Sequence, residues 1–394
     1  MFAKRTAWNL QPNRLSAALA AHRTAGQPLL DLTLSNPTEC GFHYNETAIL
    51  GALRNPSSLK YEPNPRGLEA ARAAVARYYS GHGCAAPLGD IFLTTSTSEA
   101  YTFVFRALCD PQDELLIPAP SYPLFEFLAD IQDVRLARYP LLYDHGWQMD
   151  FPSLEQAITR RTRGIVVVNP NNPTGHYCKR EEIRRLNEIC AARDLAIIAD
   201  EVFLDFAFAE QPPASFAGNR AALTFTVSGI SKICGLPQMK AAWLLVSGPG
   251  PRKEEAQARL EVIADTYLSM NAPIQWALPT LLAGRGEFQR QVLVRAHENL
   301  AELDKQLSRQ SACRRLDLEG GWNAVLRIPV TGSSEAFATD LLTSKGIYTH
   351  PGEFYDFVSG AFLVVSLLLP TTDFAAGVQT ILSVAGESIR SASL

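Results

Sequence analysis

Lys232 is the residue of this chain with the plainest capacity for chemistry. It stands in Thr226-Val-Ser-Gly-Ile-Ser-Lys-Ile-Cys-Gly-Leu-Pro237, where an apolar run at 223–227 reads as a buried strand before a glycine and a proline turn the chain away. An ammonium delivered by the end of an interior strand is poorly solvated, so its pKa is expected to fall and its amine to attack carbonyls. Asp200 and Glu201 close another apolar run, 196–199. A carboxylate there is costly unless a cation meets it. Thr97 and Ser98 belong to Thr95-Ser-Thr-Ser-Glu-Ala100, hydroxyl residues that open a helix after the run 91–94. Such an opening serves as a plain N-cap or as a site for an anion such as phosphate. Tyr122 follows the run 114–118 in Ala119-Pro-Ser-Tyr-Pro123, and Asn172 is aimed by the paired Asn-Pro steps of Asn169-Pro-Asn-Asn-Pro-Thr-Gly175.

These side chains share one placement, just beyond short apolar runs. Strands are expected at 91–94, 114–118, 134–139, 165–168, 196–199, 223–227 and 242–246, with helices at 98–108, 124–131, 153–160 and 179–193 between them. Such alternation implies a mostly parallel sheet covered on both faces, with ligands bound beyond the carboxyl ends of the strands. After Pro251 the pattern changes to long helices at 252–267 and 285–309, then strands at 324–328 and 362–368 around a helix at 334–345. An N-terminal arm carries a helix at 13–22, a strand at 29–34 and the loop Ser35-Asn-Pro-Thr-Glu-Cys-Gly41; a proline-stiffened loop, 59–67, leads into a helix at 68–79. The expected architecture is α/β, with a mostly parallel seven-stranded sheet in a large domain, 45–282, and a smaller α+β domain built from 1–44 and 283–394. The loops Gly320-Gly-Trp-Asn323 and His350-Pro-Gly352 are expected to close over the strand ends.

Bulk properties narrow the partners. With 394 residues, 47% hydrophobic and 19% charged, the chain can bury large cores. A net charge of −4 gives no electrostatic reason to expect nucleic acid or an anionic membrane. No apolar run approaches the roughly 18 residues of a membrane span, and the first residues lack the apolar core of a signal peptide, so a cytoplasmic location is expected. The 7 cysteines, an odd number without a Cys-x-x-Cys pair, suit reduced thiols, and the 7 histidines show no metal-ligand spacing, so no metal is expected.

An anion site, an aromatic ring, an aimed amide, a buried carboxylate and a deprotonable lysine, all on strand ends, fit one cofactor chemically: pyridoxal 5′-phosphate. From about residue 29 to 382 the sequence also resembles the fold-type I aminotransferases of class I/II (aspartate aminotransferase-like). The resemblance rests on Tyr61-x5-Gly67, Asn169-Pro-Asn-Asn-Pro-Thr-Gly175, Asp200-Glu-Val-Phe203, and Ser231-Lys232 followed by Gly235-Leu-Pro237. It implies that Lys232 joins the cofactor's aldehyde and then moves protons, that Asp200 pairs with the pyridine nitrogen, and that Asn172 bonds the ring oxygen. Tyr122 would stack on the ring, while Thr97, Ser98 and Lys240 would hold the phosphate. Tyr61 would reach the phosphate of a neighbouring subunit, which requires a homodimer with shared active sites. Asn36, Trp322 and Val364 fall at substrate-binding positions. The implied reaction is amino exchange between an amino acid or amine and a 2-oxo acid. A lyase, racemase or oxidase reaction on the same scaffold is the alternative, and a PLP-sensing regulator is a third reading that lacks an upstream DNA-binding segment.

Four positions depart from the family pattern. Phe203 replaces a tyrosine, removing a hydroxyl donor to the ring oxygen. Gly229 replaces a phosphate-binding serine, with Ser228 beside it as a substitute. Lys240 replaces a phosphate-binding arginine, keeping the charge and losing the bidentate fork. Val364, in Phe362-Leu-Val-Val-Ser-Leu-Leu-Leu369, replaces the arginine that clamps a substrate carboxylate. Arg14, Arg327 and His350 are the candidate substitutes for that charge, and Glu39 with Trp322 would suit a cationic or bulky substrate.

Overall fold

The computed structural model describes residues 1–209, 213–268, 270–330 and 332–392, with side chains described as far as residue 387. Its N-terminal arm holds helix α1 (Arg14–Thr24), capped by the Asn13 side chain accepting from the Ser16 amide, and the short strand β1 (Leu30–Asp31). Helices α2 (Glu46–Ala52) and α3 (Glu69–Gly81) precede the large sheet. Its strands are β2 (Ile91–Thr94), β3 (Glu114–Ala119), β4 (Arg135–Tyr143), β5 (Trp147–Met149), β6 (Thr162–Val168), β7 (Ala196–Asp200), β8 (Thr224–Gly229) and β9 (Ala242–Ser247).

The sheet therefore has eight strands, in the order β2-β9-β8-β7-β6-β3-β4-β5, against the seven expected. The added strand is β5, three residues that fold back antiparallel onto the end of β4; a run that short leaves no periodic pattern to read. The pairs from β4 through β3, β6 and β7 to β8 are parallel, and β9 runs antiparallel to both β8 and β2. Burial is nearly continuous along β6, β8 and β9 because both faces are covered there, whereas β4, near the edge, is mostly open. Helices α4 (Thr97–Leu108) and α5 (Leu124–Ile131) bury Phe103, Val104 and Phe125 against Ile117, Val166 and Val227 on one face. On the other, α6 (Phe151–Ala157) and α7 (Arg180–Arg193) bury Leu154 and Leu186 against Leu116, Ile165 and Ile197.

After β8 comes one helical turn, α8 (Ile230–Ile233), and after β9 come α9 (Gly250–Tyr267), α10 (Ala272–Ala283) and α11 (Arg285–Leu307). Helix α10 escaped the sequence pattern because it carries Pro279 inside and is apolar around much of its circumference, burying Ile274, Ala277, Leu278 and Leu281. The C-terminal part contains β10 (Arg314–Arg315), β11 (Asn323–Arg327), α12 (Ser334–Lys345), β12 (Ile347–Tyr348), β13 (His350–Pro351), β14 (Phe362–Ser366) and α13 (Thr371–Ala392). Strands β10-β11-β14-β13 form an antiparallel sheet, and β1 pairs in parallel with β12, joining the arm to this part. The expected strand at 29–34 shrinks to β1, since the Asp31 side chain accepts from the Thr33 amide and hydroxyl and turns the chain, while the Leu32 carbonyl goes to the Ser366 amide. Among the described residues, no helix is long and apolar enough to cross a membrane.

The segment at 319–323 is stitched to the loops of the large sheet. The Glu319 amide donates to the Gly175 carbonyl at 3.2 Å, the Phe208 amide to Glu319 at 2.9 Å and the Gly321 amide to Phe206 at 2.9 Å. Gly175 sits at φ +72°, and a Cβ there would lie 2.5 Å from the Gly320 carbonyl oxygen, so only glycine permits this approach. Beside it the buried His176 ring meets Glu182 at 3.1 Å and Glu319 at 3.7 Å, while Lys179 pairs with Glu319. Burial opposes the charged imidazole, but the two carboxylates prevail and raise its pKa. Glu319 is held down to about 2, against its own desolvation, by His176 and Lys179; Glu182 is lowered in the same way by His176 and the amides it accepts.

The signs define a window. The His176 contribution is complete below its ordinary value of 6.5 and is lost as pH rises through the raised value. The Glu182 and Glu319 contributions are complete above 4.5 and are lost as pH falls through their lowered values. His176→Gln is therefore expected to lower the thermal midpoint most between pH 4.5 and 6.5, with the difference from the parent protein shrinking on both sides. A midpoint difference independent of pH would contradict this tie.

Candidate active site

Strand register explains why the reactive side chains meet. Thr94 at the end of β2 and Gly229 at the end of β8 both stand level with Ala242 of β9, and Asp200 of β7 is level with Val168 and Val227 on its flanks. The ends of β6, β7, β8 and β2 thus fall within two residues of one another across the sheet. The chain leaves β2 into α4, whose Ser96 cap accepts from the Glu99 amide, and leaves β8 into α8, which carries Lys232. Gly229 is needed for packing: a Cβ there would lie 2.8 Å from that of Ala242. Ser228, offered as its substitute, turns into the core and donates to the Glu201 carbonyl at 3.2 Å.

Asp200 accepts hydrogen bonds from the Tyr101 hydroxyl at 2.9 Å and from the Val202 amide at 3.1 Å. Burial nonetheless pushes its carboxyl up to about 6, against the pull of those donors and of the Lys232 charge. Lys232 shows the converse effect, lowered by burial, with Asp200 opposing. Its Nζ lies 5.1 Å from the centre of the Trp322 ring and 5.6 Å from that of Phe203. An amine so placed reaches its nucleophilic form far more readily than a surface lysine. Glu201 points to the opposite side, fully buried, and accepts from Ser215 Oγ at 2.7 Å and the Phe216 amide at 2.6 Å.

Asp200 and Lys232 line a cavity of about 360 Å³. Of the side chains singled out in the sequence, Thr97, Ser98, Tyr122, Asn172, Trp322 and Val364 line it too. Asn169 and Asn171 of the same turn serve the fold, for Asn169 Oδ1 accepts from the Cys178 amide and Asn171 Nδ2 donates to Pro120. Asn172 is left facing the cavity, its Oδ1 accepting from Asn323 Nδ2 at 2.9 Å. Three expected residues lie outside the lining. Asn36 spends its side chain on its own turn, accepting from Thr38 and donating to Glu39. Lys240 is exposed in a left-handed conformation, φ 52°, directly after a short 3-10 turn. Tyr61 is 77% exposed in a separate groove with Asn64, Met270 and Trp276. Of the cations offered in place of the missing arginine, Arg14 and Arg327 are exposed at other ends of the fold, and only His350 lines the cavity.

Sequence reasoning missed Tyr101, Asn323, Tyr355, Thr33, Ser35 and Ser231 as parts of this site. Tyr101 reads as a core aromatic of α4, and its carboxylate partner is 99 residues away in the chain. It also missed a buried grouping of His176, Cys178 and Glu182, whose candidate ligand atoms all lie within 4.8 Å of one another. The Glu182 oxygens there already accept from the Met149 and Lys179 amides, which makes this residue a helix cap and an ion-pair partner.

Removing the hydroxyl beside Asp200 tests this geometry directly. Tyr101→Phe leaves the carboxylate one donor poorer, so its titration should move further above about 6. Carbon-13 NMR of aspartate-labelled protein reads that shift, and an unchanged or lower midpoint would contradict the arrangement.

Comparison with known proteins bears on the family. The glutamate-pyruvate aminotransferase AlaA of Escherichia coli is 30% identical over 261 residues, covering 66% of this chain and 64% of that protein. An alanine aminotransferase of Mycobacterium tuberculosis is 31% identical over 276 residues, 68% of this chain and 63% of its own length. The match thus spans just under two thirds of these curated relatives. An alanine aminotransferase structure from Pyrococcus furiosus superposes with a TM-score of 0.89 at 21% identity, over 98% of this chain and 100% of that one, and so shares the fold. The family described as aminotransferase class I and II matches residues 37–371. Given that span, together with the strand-end lysine and carboxylate, the chain belongs to the class I and II aminotransferases.

Proposed function

We propose that this protein is a pyridoxal 5′-phosphate-dependent aminotransferase that exchanges an amino group between an amino acid or amine and a 2-oxo acid. The observation that carries the reading is the pair at the strand ends, a carboxyl pushed up by burial beside an amine pushed down by it. A carboxylate in that state gains by meeting a cation, and a protonated pyridine nitrogen is such a cation. When bound, the cofactor supplies an electron-withdrawing ring that stabilises negative charge on the substrate carbon bearing the amino group.

The protein's own groups divide the remaining work. Lys232 would hold the cofactor through its aldehyde, and its amine, kept from protonation by burial, would take up and return at Nζ the proton that the exchange moves. Asp200, steadied by Tyr101 and Val202, would meet the protonated pyridine nitrogen. Asn172, with its oxygen engaged by Asn323, has its amide hydrogens left to donate to the ring oxygen. Tyr122 would cover a ring face, and Thr97 and Ser98 would hold the phosphate at the start of α4, where amides and the helix dipole favour an anion. Ser231, also in the lining, takes the place of Ser228 in this cradle.

Tyr61, exposed and distant from its own cavity, suits a homodimer in which it completes the partner's phosphate site. Lys240 belongs to the same cradle only if its exposed side chain folds inward when the anion binds. We assign residues 45–282 to a large domain and 1–44 with 283–394 to a small one, in line with the core in which Leu15 and Leu32 pack with Leu326 and Phe374. A cytoplasmic location suits the seven unpaired thiols.

Borohydride reduction of protein loaded with the cofactor should leave a pyridoxyl adduct on Lys232, located by peptide mass spectrometry. Lys232→Arg should lower amino exchange by about 100- to 10,000-fold, as loss of a general acid–base does. Absence of the adduct would overturn the reading. Consumption of an amino donor without regeneration by any 2-oxo acid would favour a lyase or oxidase on this scaffold.

A further inference from the structure

Val364 is 2% exposed and forms part of the cavity wall, directly opposite His350 in the β13–β14 pairing and Val325 in the β11–β14 pairing. Among the described residues lining the cavity, the only side chains able to carry positive charge are Lys232 and His350. Lys232 is committed to the cofactor's aldehyde on the reading above. His350 is packed among Tyr348, Phe354 and Tyr355, with ring centres 5.7, 5.8 and 6.0 Å away, and its burial lowers its pKa, so the neutral ring is favoured. Asp200 is committed in the same way to the cofactor's pyridine nitrogen, and the remaining acid nearby, Asp31, acts on His350 from outside the lining. A carboxylate brought into this wall would meet no dedicated cation, which is an unfavourable burial of charge.

What the wall does offer is a neutral pair. His350 Nδ1 and the Tyr355 hydroxyl are 3.1 Å apart, and the Tyr355 phenol, 7% exposed, is kept protonated by burial. If the hydroxyl donates to Nδ1, the ring presents an N–H at Nε2. In the other tautomer, Nε2 accepts while the phenol has its proton free to donate. Either arrangement matches a group that both donates and accepts hydrogen bonds. The Ser121 amide donates to the Tyr355 carbonyl at 2.9 Å, so this pair is held in place by the same loop that carries Tyr122.

Building on the proposed amino exchange, we infer that the substrate group lying against Val364 is uncharged, a hydroxyl or a primary amide bound by His350 and Tyr355, and not a carboxylate. The substrate class is thus amino alcohols or amino amides, which narrows the acceptor of the proposed exchange from 2-oxo acids to hydroxyketones or 2-oxo amides. His350 and Tyr355 are the residues that set this preference.

The test uses the holoenzyme in its natural oligomeric state, so that any cation supplied by a second copy takes part. Alanine, alaninamide and alaninol are compared, along with the corresponding sets from leucine and phenylalanine, by following the loss of lysine-linked cofactor absorbance. In at least one set the amide or alcohol should exceed the acid by about tenfold or more in kcat/KM, because a buried hydrogen-bonding site discriminates strongly against the wrong polar group. Tyr355→Phe should shrink that ratio, and Val364→Arg should shift it toward the acid. His350→Ala should shrink it as Tyr355→Phe does, and His350→Gln, which retains a donor and an acceptor, should restore part of it. Acids that react as fast as or faster than their neutral counterparts in every set would overturn this inference while leaving the amino exchange intact. No response to any compound, on protein whose Lys232 adduct is present, would remove both.

Discussion

The structure depends on one electrostatic constraint, a carboxyl and an amine withdrawn from water at the ends of adjoining strands. Neither Asp200 nor Lys232 has a partner that fully satisfies its charge: burial drives the acid's pKa up to about 6 and the amine's down. Their mutual attraction opposes both shifts without cancelling them. Such a pair costs folding free energy and holds a chemical capacity ready, which is the pattern expected of a catalytic site. The rest of the fold can be understood as the means of keeping water out and holding these two groups at a set spacing.

Three layers supply that rigidity. Parallel pairing aligns the strand ends, and helices on both faces bury them. The stitched segment at 319–323 then brings Trp322 and Asn323, from a different sheet, against the lysine and Asn172. Trp322 also packs on Phe203, Phe206 and Phe288, so the position of the cavity wall is set by a cluster of rings drawn from both parts of the chain. The absence of a hydroxyl at position 203 is consistent with this arrangement. Phe203 is 7% exposed and packs as an aromatic, where a phenol would need a buried partner.

Departures from the family pattern fall into two physical kinds. Gly229 is dictated by close packing of β8 on β9, which leaves no room for a side chain, whatever the ligand. Val364 is different, since it forms part of the cavity wall, and its neighbours His350 and Tyr355 form a polar contact of their own. The first kind shows how the scaffold is held. The second bears on what the site accepts.

Much of this was legible in the chain itself. Nearly continuous apolar runs announced six of the seven longer strands of the large sheet, because strands buried on both faces need no alternation, and the polar residues just after them were marked by that position; β4, open along much of its length, carries Arg135 and Arg138 within its run. Lys232, Asp200, Asn172 and the Thr97–Ser98 pair were therefore readable from sequence. Strand β5 and helix α10 were not, one being too short for a period and the other too uniformly apolar. Tyr101 and Asn323 were invisible as site residues because each acts through a contact distant in sequence, and Tyr355 because nothing local shows that the pair it forms with His350, five residues away, lines the cavity. The sequence by itself determined which segments are apolar and where charges follow them, since those are properties of neighbours along the chain. Only the tertiary structure decided which charges face each other, which are left without a partner, and that His350 and Tyr355 stand where a cation was expected, because these depend on register and packing between segments that the chain holds far apart.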